Sequence, residues 1–574
     1  MTAKLIRELG ASVGVALPEV RVTGEDPALP SVFPIGTMAA ASAGALTAAV
    51  AAYAARTAVR IEGRGEEGPG GREDLHGTHS DPDVTIDVRH AAVAFQSERH
   101  FRADGKGMDV WAALSGDYRA SDGWVRLHCN FDHHRDAAVR ALGLPPGAGK
   151  EDVARACAGR AAVDIEEAVI RAGGCAAAMR SRAEWLAHPQ ARALAGLPLV
   201  GVSRLPDGEG GGRPRGGLTG RGEAGHSGTG RGETGRSETG RSESGHSGTG
   251  GGTGRGESGH GGTGRGETYH SGTDGGSGGG SDCRSDCGET GHSRTGPSTE
   301  GRAWAGEMSG PVTGSPAGPR RPLSGIRVLD LTRVIAGPVA ARALAAYGAD
   351  VLRVGAAHLP EVPGLVVETA FGKRSCHVDL RSQADTLREL VRQADVVVQA
   401  YRPGTLRARG FGPDDLAALR PGIVCVDISA YGGRGPWASR RGFDSLVQMA
   451  CGIAHENGDG LRPNPLPAQA LDHGTGYLAA FGVVAALLRR AAEGGSWHVE
   501  VSLARTAAWL DELGRVDAEG VRQPPVDDLL ATMDSPFGTL TYVRPPGAVN
   551  GTRPHWTSPP PRQGEHPASW APVS

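Results

Sequence analysis

From residue 327 onward the chain alternates short apolar runs with longer segments whose apolar residues recur at helical spacing. Arg327 to Leu331, Asp350 to Val354, Cys376 to Leu380, Asp395 to Gln399 and Ile423 to Ser429 read as strands. Helices are expected over Pro338 to Tyr347, where Gly348 suits the C-terminal cap, over Gln383 to Gln393 and over Asp414 to Leu419. Such alternation predicts right-handed crossovers and an α/β fold with a Rossmann-like, mostly parallel sheet. Ligands of such sheets sit at the carboxyl ends of strands, so Thr332 to Pro338 and Ala400 to Gly404 are the candidate cleft loops. A further helix is expected from Asp472 to Arg490, apolar on all sides and therefore buried. Gly474 and Gly476 weaken its first turn, as they would if the backbone there must approach something closely.

The pattern disappears between residues 207 and 318, where Gly, Ser, Thr, Arg and Glu dominate and large apolar residues are almost missing. A unit of roughly ten residues recurs there, beginning at Thr219, Thr229, Thr239, Thr253 and Thr263, and offers no apolar position to stack. A long disordered Gly-rich linker is the expectation. Cys283 and Cys287 lie within it without a second cysteine pair, so no metal site is expected.

A formal charge of −3 gives no field that would gather nucleic acid. Met38 to Ala55 is apolar but mostly alanine, too weak for a membrane span, and the first ten residues do not resemble a secretory signal. Eight cysteines over 574 residues form no disulfide framework, so a reduced, cytoplasmic protein is expected. No GxGxxG follows the first strand, which argues against a nicotinamide cofactor.

A faint internal repeat is also visible. Gly36-Thr37 and Gly44 match Gly474-Thr475 and Gly482 at one offset, and Ile86-Asp87-Val88 resembles Val499-Glu500-Val501. Pro34 then stands where the other copy has Asp472.

The ordered motifs Pro322 to Leu331, Ala336-Gly337-Pro338, Tyr347 to Val351, Gly372-Lys373-Arg374-Ser375, Tyr401-Arg402-Pro403-Gly404, Gly442-Phe443-Asp444 and Asp472 with Thr475-Gly476 resemble the class III coenzyme A-transferase family. The resemblance implies five regions: a degenerate copy of the family's central region (1–110), a smaller α+β domain (111–206), the linker (207–318), a Rossmann-like domain with the catalytic helix (319–510) and a truncated C-terminal tail (511–574). It implies transfer of coenzyme A between an acyl-CoA and a carboxylic acid, with CoA as substrate and no tightly bound cofactor. Asp472 would be the covalent nucleophile, although its local sequence alone favours a helix cap, a preference that the ordered family motifs reverse. Gly474 and Gly476 would present backbone N–H groups to oxyanions. Arg333, Lys373, Arg374, Arg402 and Arg441 would meet phosphates, while Val334 and Tyr401 would supply apolar contact. Family members form interlocked dimers, so this chain would be an intramolecular pseudo-dimer or a homodimer.

There are departures. Gly355 replaces an acidic residue, Gln399-Ala400 replaces Glu-Asn, and Phe443 stands where racemases of the family place a histidine, which disfavours racemization. A non-catalytic acyl-CoA-binding scaffold and a racemase or dehydratase-like relative remain the alternatives. His133 and His134 read as a helix start at the surface, and Cys425 and Cys451 as small core residues.

Overall fold

The computed structural model describes residues 1–62, 81–206 and 321–572; the expected linker, with Cys283 and Cys287, lies outside the described residues. The largest sheet has seven strands, in spatial order Lys373–His377, Asp350–Gly355, Arg327–Leu331, Val396–Gln399, Val424–Ser429, Trp497–Ser502 and Gly201–Arg204. The first six are parallel, and Gly201–Arg204 joins antiparallel to Trp497–Ser502. In chain order the parallel strands run third, second, first, fourth, fifth, sixth. That is the doubly wound order, with its switch point between Arg327–Leu331 and Val396–Gln399.

Four strands lie within a residue of the sequence expectation; the one expected at Cys376 to Leu380 starts earlier, at Lys373. Its outer edge is covered by the far C-terminus: the N–H of His566 donates to the Ser375 carbonyl at 2.8 Å, and Arg374 Nη1 donates to the Ser569 carbonyl at 2.9 Å. An otherwise open edge is thereby closed.

Three helices fill the core beside this sheet: Ile35–Glu62, Ala336–Ala346 and Ala470–Glu493. Small residues let them approach closely. A Cβ added to Gly476 would lie 2.6 Å from the Ala336 carbonyl oxygen, and one on Gly482 2.6 Å from Val499 Cγ1. The two long helices are apolar enough to cross a membrane by composition, but both are buried inside the protein. Each larger apolar side chain buried in this seam, such as Leu478, Phe481 or Leu46, contributes on the order of 1.5–3 kcal/mol before the entropy of ordering is subtracted.

The halves share an element order. Ile35–Glu62 leads to strand Val84–Asp87 and helix Val88–Ala94, as Ala470–Glu493 leads to Trp497–Ser502 and Leu503–Glu512. Both second helices are capped by the last residue of the strand, Asp87 and Ser502 respectively. A smaller α+β unit contains the antiparallel strands Gly116–Arg119, Trp124–Leu127 and Ala176–Ala178. Three helices pack on it around Tyr118, Val125, Ile165 and Val169. The C-terminal hairpin, Leu530–Ser535 with Gly538–Val543, pairs onto Arg102–Ala103.

Candidate active site

A cavity of about 370 Å³ opens at the switch point of the sheet. Its wall includes Thr332 to Gly337 after the first parallel strand and Ala400 to Pro403 after the fourth, the two loops singled out from the sequence. Asp330 holds the first loop in place. Its carboxylate accepts the Thr332 N–H at 3.0 Å, the Thr332 hydroxyl, and Lys373 Nζ at 2.8 Å. Val334 has φ +72°, a left-handed conformation that costs a β-branched residue on the order of 1–3 kcal/mol. Its strained backbone lies where the cavity meets a second one.

Arg333, Arg402 and Arg441 line the first cavity as expected, with Val334 and Tyr401. Arg333 donates to the Pro360 carbonyl and Arg441 to the Gly173 carbonyl, so neither is neutralised by a carboxylate. Arg440 also lines the cavity but is tied to Glu166 and Glu167. Gln399 orders the second loop: its Oε1 accepts the Tyr401 N–H at 2.7 Å and its Nε2 donates to Asp427 at 2.7 Å. Beside Gly355, the missing acid has a substitute, because Glu361 pairs with the buried Arg353 at 2.5 Å.

Two expected phosphate contacts are corrected. Lys373 is fully buried, bonded to Asp330 and to the Pro338 carbonyl, and lies in a strand away from the cavity. Arg374 is engaged by Ser569 and by Asp350 at 3.3 Å, also outside the cavity.

Asp472 sits in the wall common to both cavities and is only 7% exposed. The helix begins at Ala470, two residues before the expected start, which places Asp472 in the first turn and not at the cap. The helix N-terminus is instead held by Asp444: its Oδ2 accepts the N–H groups of Leu471 at 2.8 Å and Asp472 at 2.9 Å. Burial, then the Asp444 charge, then that of Glu98, push the Asp472 carboxyl well above the ordinary range. Burial also raises Asp444, to about 6, against the bonds it accepts.

Gly474 and Gly476 are likewise corrected. They lie inside the helix and line neither cavity. A Cβ on Gly474 would meet Thr506 Cγ2 at 3.2 Å, so what these backbones approach is protein. The first free N–H groups of the helix, on which an oxyanion role would depend, are taken by Asp444.

The second cavity, of about 450 Å³, is built largely by the N-terminal half: Glu98, Arg99, Arg102, Met108, Trp111 and His128 face Val334, Phe443, Ser445 and Asp472. Glu98 accepts from or pairs with His473 Nε2 at 3.0 Å, and Phe95 stacks on the same imidazole. Burial would raise the Glu98 carboxyl, but the His473 bond and charge hold it below the usual range. His128 lies flat on Phe443, ring centroids 3.6 Å apart and planes within 2°. Burial, with His134 nearby, pulls His128 down to about 3, so its imidazole is neutral. Glu98, Arg102 and His128 carried no local sequence signal. Asp444 did, since an Asp opening a helix next to a motif glycine is a usual N-terminal acid.

His133 and His134 begin their helix as expected, but both line the first cavity, and His134 is buried against Cys175 at 3.6 Å, not at the surface. Cys425 and Cys451 are buried, and burial raises both thiols.

A parallel sheet with its cleft at the switch point and a carboxyl group on a buried helix beside it defines a doubly wound α/β protein with a candidate site at that cleft. Residues 323–525 match the family described as CoA-transferase family III. The chain is 38% identical over 205 residues to the acetyl-coenzyme A transferase nodX of Hypoxylon pulicicidum, covering 34% of this chain and 35% of the relative. It is 36% identical to a probable fatty acyl-CoA transferase of Mycobacterium tuberculosis, covering 33% of this chain and 53% of the relative. With the human succinyl-CoA:glutarate CoA-transferase the identity is 32%, covering 32% of this chain and 45% of the relative. The crystal structure of Rv3272 from M. tuberculosis matches with a TM-score of 0.32 at 34% identity, over 34% of this chain and 59% of that one. The chain thus spans between about a third and a half of the length of these curated relatives.

Proposed function

We propose that the protein transfers coenzyme A between an acyl-CoA and a carboxylic acid through Asp472. The observation that carries this reading is the position of Asp472 in the wall shared by two cavities, one bordered by arginines without carboxylate partners and the other more enclosed by the N-terminal half. A carboxylate oxygen of Asp472 attacks the thioester carbonyl carbon; the C–S bond breaks and CoA leaves as thiolate, giving a mixed anhydride. The thiolate then attacks the Asp472 carbonyl, which releases the first acid as carboxylate and leaves an aspartyl-CoA thioester. The acceptor carboxylate attacks that thioester, and the expelled thiolate takes the new acyl group and frees Asp472. Carboxylates act as nucleophiles when desolvated and held beside the electrophile, and the raised pKa of Asp472 marks an anion that is poorly stabilised and correspondingly reactive. Arg333, Arg402 and Arg441 are the residues we assign to the anionic end of CoA.

Incubation with acyl-CoA donors followed by intact-mass measurement tests the route. A covalent CoA adduct is expected in the native protein and none after Asp472→Ala; binding of acyl-CoA without adduct or exchange would favour the scaffold reading. Because both halves line the second cavity, we read the chain as an intramolecular pseudo-dimer, for which light scattering should give the mass of one chain. All six described cysteines are unpaired, in keeping with the reducing cytoplasm we propose as its compartment.

A further inference from the structure

Resting on the coenzyme A reading of the first cavity, a row of side chains behind its second loop carries a further statement. Strand register sets Gln399 beside Asp427 and Asp427 beside Glu500, one position on each of three neighbouring strands. None of the three lines the cavity, whereas Ala400 to Pro403, which follow Gln399, do. Where that strand ends, two hydrogen bonds shape the turn: the Tyr401 N–H donates to Gln399 Oε1 at 2.7 Å, and the Thr405 N–H to the Arg402 carbonyl at 3.0 Å. The first depends on which way the Gln399 carboxamide faces. A carboxamide has a donating and an accepting end, and a backbone N–H can meet only the second. Asp427 decides between them, because a carboxylate only accepts and so takes Nε2, at 2.7 Å. Acids on adjacent strands repel each other, and His498 stands among these two: its Nε2 lies 3.1 Å from Asp427 Oδ2, and its Nδ1 3.9 Å from Glu500. Burial would lower the pKa of this imidazole, but Asp427 and then Glu500, against Arg407, hold it above the ordinary value.

We infer that Asp427 is a positioning residue for the first cavity: by fixing the Gln399 carboxamide it sets the Tyr401–Arg402 turn, and with it the grip on acyl-CoA. The pair also accounts for one departure in the sequence. The glutamate that the family resemblance places at 399 would accept from the Tyr401 N–H unaided, but beside Asp427 its second oxygen would meet a like charge. Glutamine turns the same neighbour into a hydrogen-bond acceptor. Positions 399 and 427 therefore form one unit, in which the residue at each is suited to the turn only in combination with the other.

Three variants of the full chain test this: Gln399→Glu, Asp427→Asn and the two together. Hydrogen exchange of the segment 400–405 reads the turn without any ligand, with helix Ala384–Arg392 as internal reference. Gln399→Glu should raise exchange in the turn roughly tenfold while the helix stays at its native rate. Adding Asp427→Asn, whose amide can donate to the new carboxylate, should return the turn to near its native rate. Asp427→Asn alone keeps an oxygen for Gln399 and should change exchange by less than about threefold. KM for acyl-CoA should follow the same order, rising roughly tenfold in Gln399→Glu and recovering in the double variant, with kcat moving less than about twofold. General destabilisation would move the reference helix and would not be rescued by a second substitution. An unchanged turn in Gln399→Glu, a double variant no closer to native than the single one, or a loosened turn with KM unmoved overturns the inference. If the native chain turns over no acyl-CoA, the transferase reading fails, and the order of exchange rates alone decides whether Asp427 positions the turn.

Discussion

The carboxylate of Asp444 accepts the backbone N–H of Asp472 at 2.9 Å, so one acid fixes the position of the other while raising its pKa. Two carboxyl groups this close resist ionising together. Asp472 is therefore a residue whose charged form the fold tolerates poorly.

Stability should show this directly. A carboxyl raised in the folded state stabilises the protein below its unfolded value and loses that contribution as pH rises through the folded value. Asp472→Asn removes the penalty, and the side chain makes no hydrogen bond that would be lost. The variant should melt a few degrees higher than the native protein at pH 7, and the difference should vanish below about pH 4, where both states are protonated. Transfer activity should be absent throughout. Thermal melts across pH check the sign; a variant less stable at pH 7 would refute the strained-anion account.

Glu98 contributes to the raised pKa of Asp472 from the other half of the chain. Glu98→Gln should move the acidic limb of the kcat/KM profile to lower pH, because Asp472 then ionises more readily. A purely structural role would depress the whole profile without displacing it.

Lysine 373 and the cavity arginines should separate cleanly. Lys373→Met leaves Asp330 charged and unpaired in the core and should cost about 3–5 kcal/mol in denaturant unfolding. Arg402→Ala should leave stability within about 0.5 kcal/mol while raising KM for acyl-CoA roughly tenfold, as loss of one charge-assisted bond does.

Gly476→Ala would set a Cβ against the Ala336 carbonyl and Val339. Overpacking of this kind costs roughly 1–3 kcal/mol. If the glycine served an oxyanion instead, the melting temperature would hold and turnover would fall.

Much of this was readable from the chain. The apolar runs fixed strand after strand, and Asp472, Arg333, Val334, Tyr401, Arg402 and Arg441 do gather at the switch-point cavity. Lys373 and Arg374 misled because a charged GKRS stretch looks like a loop; it becomes a strand only because Asp330 neutralises the lysine and residues 564–569 cover the edge, partners remote in sequence. Gly474 and Gly476 signalled a close approach without saying to what. The second cavity was illegible for a plainer reason: Arg102 and His128 meet Asp472 from more than 300 positions away, and no local pattern encodes such an encounter.

The antiparallel strand Gly201–Arg204 completes a sheet whose other six members follow residue 321, and the same N-terminal half furnishes the wall opposite Asp472. Neither half alone supplies the whole wall of the second cavity. If the chain is the pseudo-dimer proposed above, carrying both on one polypeptide fixes their stoichiometry at one to one, and dilution, which disables a dissociable pair, should leave the proposed transfer activity per molecule untouched.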